Sequence, residues 1–482
     1  MISGEAFPVE PWQVRETHLD LSQLAQSESL FALSNGHIGL RGNLDEGEPF
    51  GIPGTYLNSF FETRPLPYAE AGFGYPEAGQ TIVDVTNGKI LRLLVDDEPF
   101  DVRYGDLTEH ERILDLRAGT LTRRAVWCSP AGKQIRVVST RLVSLVQRAV
   151  AAIEYTVEAV DEFTRVTVQS ELVANEDQPE RSDDPRVSAV LKHPLEPIHH
   201  ESTEDGSLLV HRTKASKLMA AAAMDHLVDV PGRVEVDTMV CEDLARTTVI
   251  CGLRPGQRLR IVKFLAYGWS SLRSRPALRD QVAGALAGAR YTGWEGLLAT
   301  QRSYLDEFWD CADVEVDGDP GCQQAVRFGL FHVLQASVRA ERRAIAGKGL
   351  TGPGYDGHAF WDTEGFVLPV LTYTKPDAAA DALRWRASIL DLAKKRAEQL
   401  DLKGAAYPWR TIRGEECSAY WPAGRRPGTS TPTSRWPSSG TGRSPVTTRW
   451  KAIAVWRSWW RPRGCGCRWD TTTGTAGGIW TA

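Results

Sequence analysis

No stretch of about 18 apolar residues occurs anywhere in the 482-residue chain, so the sequence offers no membrane-spanning helix. The start, MISGEAFPVEPW, lacks a basic segment followed by an apolar one and carries Glu5 and Glu10, which is not the pattern of a secretory signal. A net charge of −5 leaves no cationic excess to hold a nucleic-acid backbone, so nucleic acid is not expected as a partner. The eight cysteines (128, 241, 251, 311, 322, 417, 465 and 467) do not fall at the spacing of zinc ligands. Six or more of them read as free, buried thiols in a reducing compartment, which with the absent signal predicts a cytoplasmic protein without a metal. Sequence repeats of 30–50 residues are not visible either.

One absence is local. Residues 425–482 contain no Leu, Phe, Tyr or Glu, yet hold seven of the sixteen Trp, ten Arg or Lys and one acid, Asp470. A domain that omits Leu over such a length would be unusual, and Thr, Pro and Gly interrupt every face that a basic, aromatic nucleic-acid tail would need. Reading the tail one base out of frame accounts for it better. Each Trp codon, TGG, then contributes the last two bases of an NTG codon, which is Leu, Val or Met. The tail is therefore expected to be out of frame from about residue 424. The 424 residues before it carry 46 basic and 60 acidic side chains, a balance of −14.

What is present suggests two or three domains, since the chain is too long for one core. Residues 1–270 alternate with a period of two between turn signals. LTRRAVWC, SPAGK and QIRVVSTRLVSL read as a hairpin, and AVAAIEYTVEAV, TRVTVQSEL, RTTVICGL and RLRIVKFLAYG as further strands. Many antiparallel strands in one block predict a large β-sandwich, with 175–186 as a surface loop. Residues 271–317 then read as a helical linker, in two helices, the second opening on a capping box from Thr292 to Glu295. Residues 318–424 read as the first part of a helical barrel. A helix over 319–340 is apolar on one face, and another runs from Pro376, in its first turn, to Gly404.

GHAFWDTEGF, from Gly357 to Phe366, concentrates the chemistry. An indole beside a carboxylate suits a sugar: the ring covers the apolar face of a pyranose, and the carboxylate accepts from two hydroxyls. The same spacing also fits a helix start, with Asp362 and Glu364 as caps and Trp361 in the core. His358, Asp362 and Glu364 could be metal ligands, but no second cluster supports that.

GLTGPGYDGHAFWDTEGFVLPVLTY, GAAYPWRTIRGEEC and AYWPAG, with ESLFALSNGHIGLRGNLDEG and GIPGTYLNSFFE near the N-terminus, strongly resemble glycoside hydrolase family 65. The likeness covers about residues 8–424. It implies a β-sandwich (a supersandwich), an (α/α)6 barrel that is incomplete here, a homodimer, and inverting phosphorolysis of an α-linked glucose disaccharide of the maltose, trehalose or kojibiose type. Inorganic phosphate is the implied co-substrate, with no other cofactor. The resemblance assigns Trp361 and Asp362 to gripping the non-reducing glucose. The out-of-frame reading of the tail is similar to the family's next barrel helices.

Inverting cleavage needs a carboxylic acid to protonate the leaving oxygen and a nucleophile on the opposite face. Relatives take the acid from a Gly-Pro-Asp-Glu motif. Only GPGYD (352–356) comes near it, so no catalytic acid is expected among these residues and the chain is expected to be truncated and inactive. His358, Trp409 and Glu416 are weaker candidates for the sugar site. Glu415 and Glu416 are expected to orient their loop through Arg410 or Arg413, and His37 to be a turn residue. A hydrolase of the same family and a non-catalytic carbohydrate-binding remnant stay open as alternatives.

Overall fold

The computed structural model describes residues 6–66, 74–176, 191–202 and 206–418. The tail from residue 425 lies outside the described residues, as does AYWPAG beyond its reach of 418. Of the loop 175–186 only the first two residues are described.

The alternating segments form two large antiparallel sheets. The first has ten strands in the order Val9–Glu10, Gln13–Glu16, Asp106–Asp115, Thr120–Cys128, Gln134–Val143, Val150–Ala159, Arg258–Ser270, Met219–Asp229, Gly206–Thr213 and Leu195–Ser202. The second has five: Val234–Val240, Leu244–Leu253, Thr164–Val173, Leu91–Val95 and Glu98–Pro99. Ile135, Val137, Ile153, Tyr155 and Val157 of the first pack against Leu91, Leu93, Val166, Val168 and Val249 of the second in one core. The expected hairpin pairs Thr120 with Leu142 and Cys128 with Gln134, and Gly132 closes its turn at φ +87°. A four-stranded sheet (Leu33–Ser34, Ile38–Leu40, Thr55–Pro65, Ala78–Asp84) adjoins them, and its strand Ala78–Asp84 reaches the candidate site.

Strand Val150–Ala159 is apolar on both faces only over Val150–Ile153, where both are covered; beyond it Glu154, Thr156 and Glu158 alternate with buried Tyr155 and Val157. Helix α2 (Arg275–Ala312) follows α1 (Leu24–Leu30) in the chain and lies on the outer face of the ten-stranded sheet. Its Ala289, Trp294 and Leu297 meet Leu142, Val150, Ala152, Val262 and Phe264. Leu278 and Val282 meet Val210, Ala221, Ala223 and Ala266. The chain breaks helical geometry at Gly293 (φ 69°, ψ 169°), which divides α2 where two helices were expected. The expected capping box differs in detail. Thr292 Oγ1 donates back to Gly288 O at 2.9 Å and accepts from Gln147 at 2.9 Å, so it ends the first segment instead of capping the second.

Helix α3 (Pro320–Ser337) starts on Asp319, whose side chain accepts from Cys322 N at 2.9 Å, with Pro320 at the first helical position. Its buried face is more polar than the sequence suggests. Arg327 pairs with Asp313 (2.8 and 2.7 Å) and lies over Trp12, while Gln335 bonds Ser34 N and Ala32 O. The Arg327–Asp313 pair ties α3 to the end of α2, while the Gln335 bonds and the Arg327–Trp12 contact hold it to the sandwich. Helices α4 (Leu368–Thr374), α5 (Pro376–Ser388) and α6 (Leu390–Gln399) follow. The single helix expected from Pro376 is two, because Ile389 leaves helical geometry at φ −93°, ψ 10°. Among the described residues no helix is long and apolar enough to cross a membrane, and the six cysteines are free; contrary to expectation only Cys251 and Cys417 are buried, while Cys241, Cys311 and Cys322 are exposed.

Charge is buried inside the sandwich. Asp45 accepts from Arg141 (3.1 and 2.5 Å) and Ser139 (2.7 Å), and Glu46 accepts from Arg123 (2.8 and 2.7 Å). Removing one member of such a pair strands the other without water, at a cost of roughly 3–5 kcal/mol.

Six histidines (37, 110, 211, 226, 332 and 358) have pKa values pushed down by burial, His226 to about 3 and His332 to about 4. Each is neutral in the fold and charges on unfolding below about 6.5, so the unfolded state binds more protons as pH falls. The stability they supply is complete above that value and is lost progressively as pH drops toward 4. The thermal midpoint should decline between pH 6.5 and 4, before most carboxylates titrate. A midpoint flat across that window in a buffer series would contradict this.

Candidate active site

Two segments far apart in sequence form the site. Strand Ala359–Phe360 pairs antiparallel with Arg410–Thr411, which joins GHAFWD to YPWRT. Gly357 turns the chain into this pair at φ +71°, and a Cβ there would lie 2.6 Å from the Cβ of Ile82, so only glycine fits. His358 comes next and is buried. Its Nε2 lies 2.5 Å from Gln80 O, so that nitrogen carries the proton and donates; Nδ1 accepts from Arg410 Nε at 2.6 Å. Burial and the Arg410 charge hold His358 well below its ordinary pKa. Both ring nitrogens are occupied, which removes His358 as a metal ligand in this arrangement.

Arg410 continues the chain of contacts, donating to Tyr355 O (3.1 Å) and Asp356 Oδ2 (2.9 Å). Asp356, the acid of GPGYD, is buried and also bonds Thr81 Oγ1 at 3.2 Å. The centre of these contacts is Gln80, on the sandwich strand Ala78–Asp84. Its Oε1 accepts from Ile412 N and Arg413 N, both at 2.9 Å, and its Nε2 donates to Glu415 at 2.8 Å. Nothing in the sequence marks Gln80, since a polar residue in an alternating strand is ordinary and its partners lie more than 270 positions away.

Trp361 and Asp362 follow the strand pair and open a π-helical turn, Thr363–Val367. Single π turns recur at functional sites. Trp361 is half-buried, packs edge-on against Tyr407 (6.2 Å between ring centres), and its Nε1 has no partner among the described residues. Asp362 is exposed, and no hydrogen bond or ion pair engages its carboxylate among the described residues, so it does not cap the turn. Glu364 does not cap it either, being forked onto Arg386 at 2.6 and 3.0 Å. The structure thus brings Trp361 and Asp362 together on one turn, the indole partly sheltered and the carboxylate free.

Trp409 is half-buried, one residue before the short strand pair. Glu416 is buried, and its carboxyl accepts from the backbone N–H of Trp409 (2.7 Å), Cys417 (3.0 Å) and Ser418 (2.9 Å). It therefore organises the loop through main-chain amides, and not through the Arg410 or Arg413 side chains as expected; Glu415 takes Arg413 at 3.1 Å. Burial raises the Glu416 pKa, against those amides. His37 sits in the turn between Ser34 and Ile38 and is buried.

Comparison with known proteins follows the same lines. Residues 14–308 match the sequence model described as glycosyl hydrolase family 65, N-terminal domain, and residues 327–441 match the family's central catalytic domain. An uncharacterized glycosyl hydrolase of Mycobacterium tuberculosis is 80% identical over 424 residues, 88% of this chain and 54% of that protein. An alpha,alpha-trehalose phosphorylase of Thermoanaerobacter brockii is 36% identical over 423 residues, 87% of this chain and 55% of that protein. A solved structure from the human microbiome, provisionally named a kojibiose phosphorylase, superposes with a TM-score of 0.78 at 24% identity, over 86% of this chain and 54% of that one, and shares the fold. The chain spans about half the length of the curated relatives it matches. A match to the N-terminal-domain model across residues 14–308, more than half of the sequence, makes this chain a member of glycosyl hydrolase family 65.

Proposed function

We propose that the protein derives from an enzyme that cleaves an α-linked glucose disaccharide of the maltose, trehalose or kojibiose type by inverting phosphorolysis, and that the described residues hold its glucose grip. The observation that carries this reading is the turn with a half-sheltered Trp361 beside an unengaged Asp362 carboxylate. A pyranose presents an apolar face and a rim of hydroxyls, and these two side chains match both. Trp409 is proposed to border the same pocket, with His358 and Glu416 supporting its walls.

In the whole enzyme a carboxylic acid protonates the glycosidic oxygen as that bond breaks. A phosphate oxygen forms the new bond to the anomeric carbon from the opposite face, so an α-linkage yields β-glucose 1-phosphate and glucose. Phosphate is already anionic and needs no general base. Among the described residues every carboxylate near the grip except Asp362 is engaged: Asp356 with Arg410, Glu364 with Arg386, Glu415 with Arg413, and Glu416 with main-chain amides. Asp362 itself is proposed to hold hydroxyls and is poorly suited to protonate the leaving group. The 482-residue chain is therefore proposed to bind sugar without turning it over. A homodimeric, cytoplasmic enzyme, divided at residues 270, 317 and 424, belongs to the same proposal.

The activity test is release of glucose 1-phosphate from maltose, trehalose and kojibiose in phosphate buffer. The expected rate lies at least ~10²–10⁴-fold below that of a complete family enzyme, the share that general acid catalysis supplies. Turnover at an ordinary ~1–10³ per second would show that an acid is present and has been overlooked. Glucose release that ignores phosphate would favour a hydrolase.

The frame is tested on the nucleotide sequence. Deleting or restoring one base near codons 424–427 should replace the Trp- and Arg-rich tail 425–482 by a Leu-containing helical sequence that runs on, downstream of codon 482, into Gly-Pro-Asp-Glu. If neither alternative frame stays open, the tail is a genuine segment.

A further inference from the structure

We propose that Arg386 is a positioning residue for the Trp361–Asp362 pair, setting the angle of the indole and the backbone of the turn that presents the carboxylate. This rests on the reading of that pair as a sugar grip. Because Trp361 Nε1 has no acceptor among the described residues, no hydrogen bond from the ring holds it. Its orientation depends on ring contacts: Tyr407 edge-on, and the Arg386 guanidinium 5.3 Å from the indole centre. The guanidinium also lies 4.7 Å from the centre of the Trp385 ring, so it contacts two indoles.

The same group fixes the backbone. Arg386, on α5 and only 3% exposed, donates Nε and Nη2 to the two oxygens of Glu364 at 2.6 and 3.0 Å. Glu364 N and Gly365 N both donate to Trp361 O, at 3.0 and 3.1 Å. Thr363 Oγ1 donates to Ile345 O at 3.3 Å. The π-helical turn is thus tied at its first residues, and Asp362 stands between the Trp361 carbonyl that accepts from Glu364 and Gly365 and the Glu364 side chain that Arg386 holds. Only a planar, five-donor cation can fork a carboxylate and stack on rings at once, so lysine would reproduce the charge and not the geometry.

The test uses the full 482-residue protein with its tryptophans fluorinated, the Trp361 signal being assigned by its loss in Trp361→Phe. Arg386→Met should shift or broaden that signal in the folded protein and weaken binding of maltose, trehalose or kojibiose by roughly 10- to 100-fold, the scale of a small misplacement of a binding group. Arg386→Lys should restore part of both effects. If Arg386→Met does not fold, Arg386→Lys and Glu364→Gln carry the same comparison. A folded variant with a lowered melting temperature but an unmoved Trp361 signal would make the pair a structural brace and overturn the proposal. Should the unsubstituted protein bind none of the three sugars, the sugar reading of the site fails, and the Trp361 signal alone decides the positioning role.

Discussion

The arrangement at the site depends on one side chain and its own carbonyl. Gln80 satisfies a histidine N–H with its main-chain oxygen, two main-chain N–H groups with its amide oxygen, and a carboxylate with its amide nitrogen. A glutamine amide can serve donor and acceptor partners at once without carrying charge. A lysine or glutamate in its place would satisfy one set and leave the other buried without a partner. Because Gln80 sits on a strand paired in a sheet, its position is fixed by the sandwich, and the loops that carry Trp361 and Trp409 take their places from it.

This makes the sandwich part of the site. Thr81 reaches Asp356, Gln80 reaches the loop 411–415, and Ile82 sets the room left for Gly357. From the helical side, α3 returns the contact through Gln335, which bonds Ser34, and Arg327, which lies over Trp12. Helices α4 to α6 alone would lack the surface that shapes their own loops.

Much of this was legible in the sequence, for reasons that follow from burial. Strands alternate where one face meets solvent; Val150–Ala159 loses the alternation only over Val150–Ile153, and Arg258–Ser270 only beyond Ile261, where α2 covers the outer face. The division of α2 was read from a capping box at Thr292 that does not form, the break itself falling on Gly293, where glycine tolerates a positive φ; the one at Ile389 was not visible, since nothing in an isoleucine announces it. The Trp361–Asp362 turn stood out as a motif. Gln80 and Arg386 did not, because what they do lies wholly in partners brought together by the fold. The roles of Asp362, Glu364 and Glu416 could not be separated by spacing, as each carboxylate's function depends on whether a cation, an amide or solvent faces it.

The separation between Gln80 and its partners also sets an order in time. They lie 278 to 335 residues downstream. At ~5–20 residues per second of synthesis, Gln80 is made on the order of tens of seconds before the loop it holds exists. During that interval the sandwich can close its core while an edge strand presents an uncommitted amide and carbonyl to water. The candidate site is assembled last, onto a surface that has waited for it, so events that slow translation after residue 270 leave the sandwich intact and delay only the Trp361–Asp362 turn and the loop beside it.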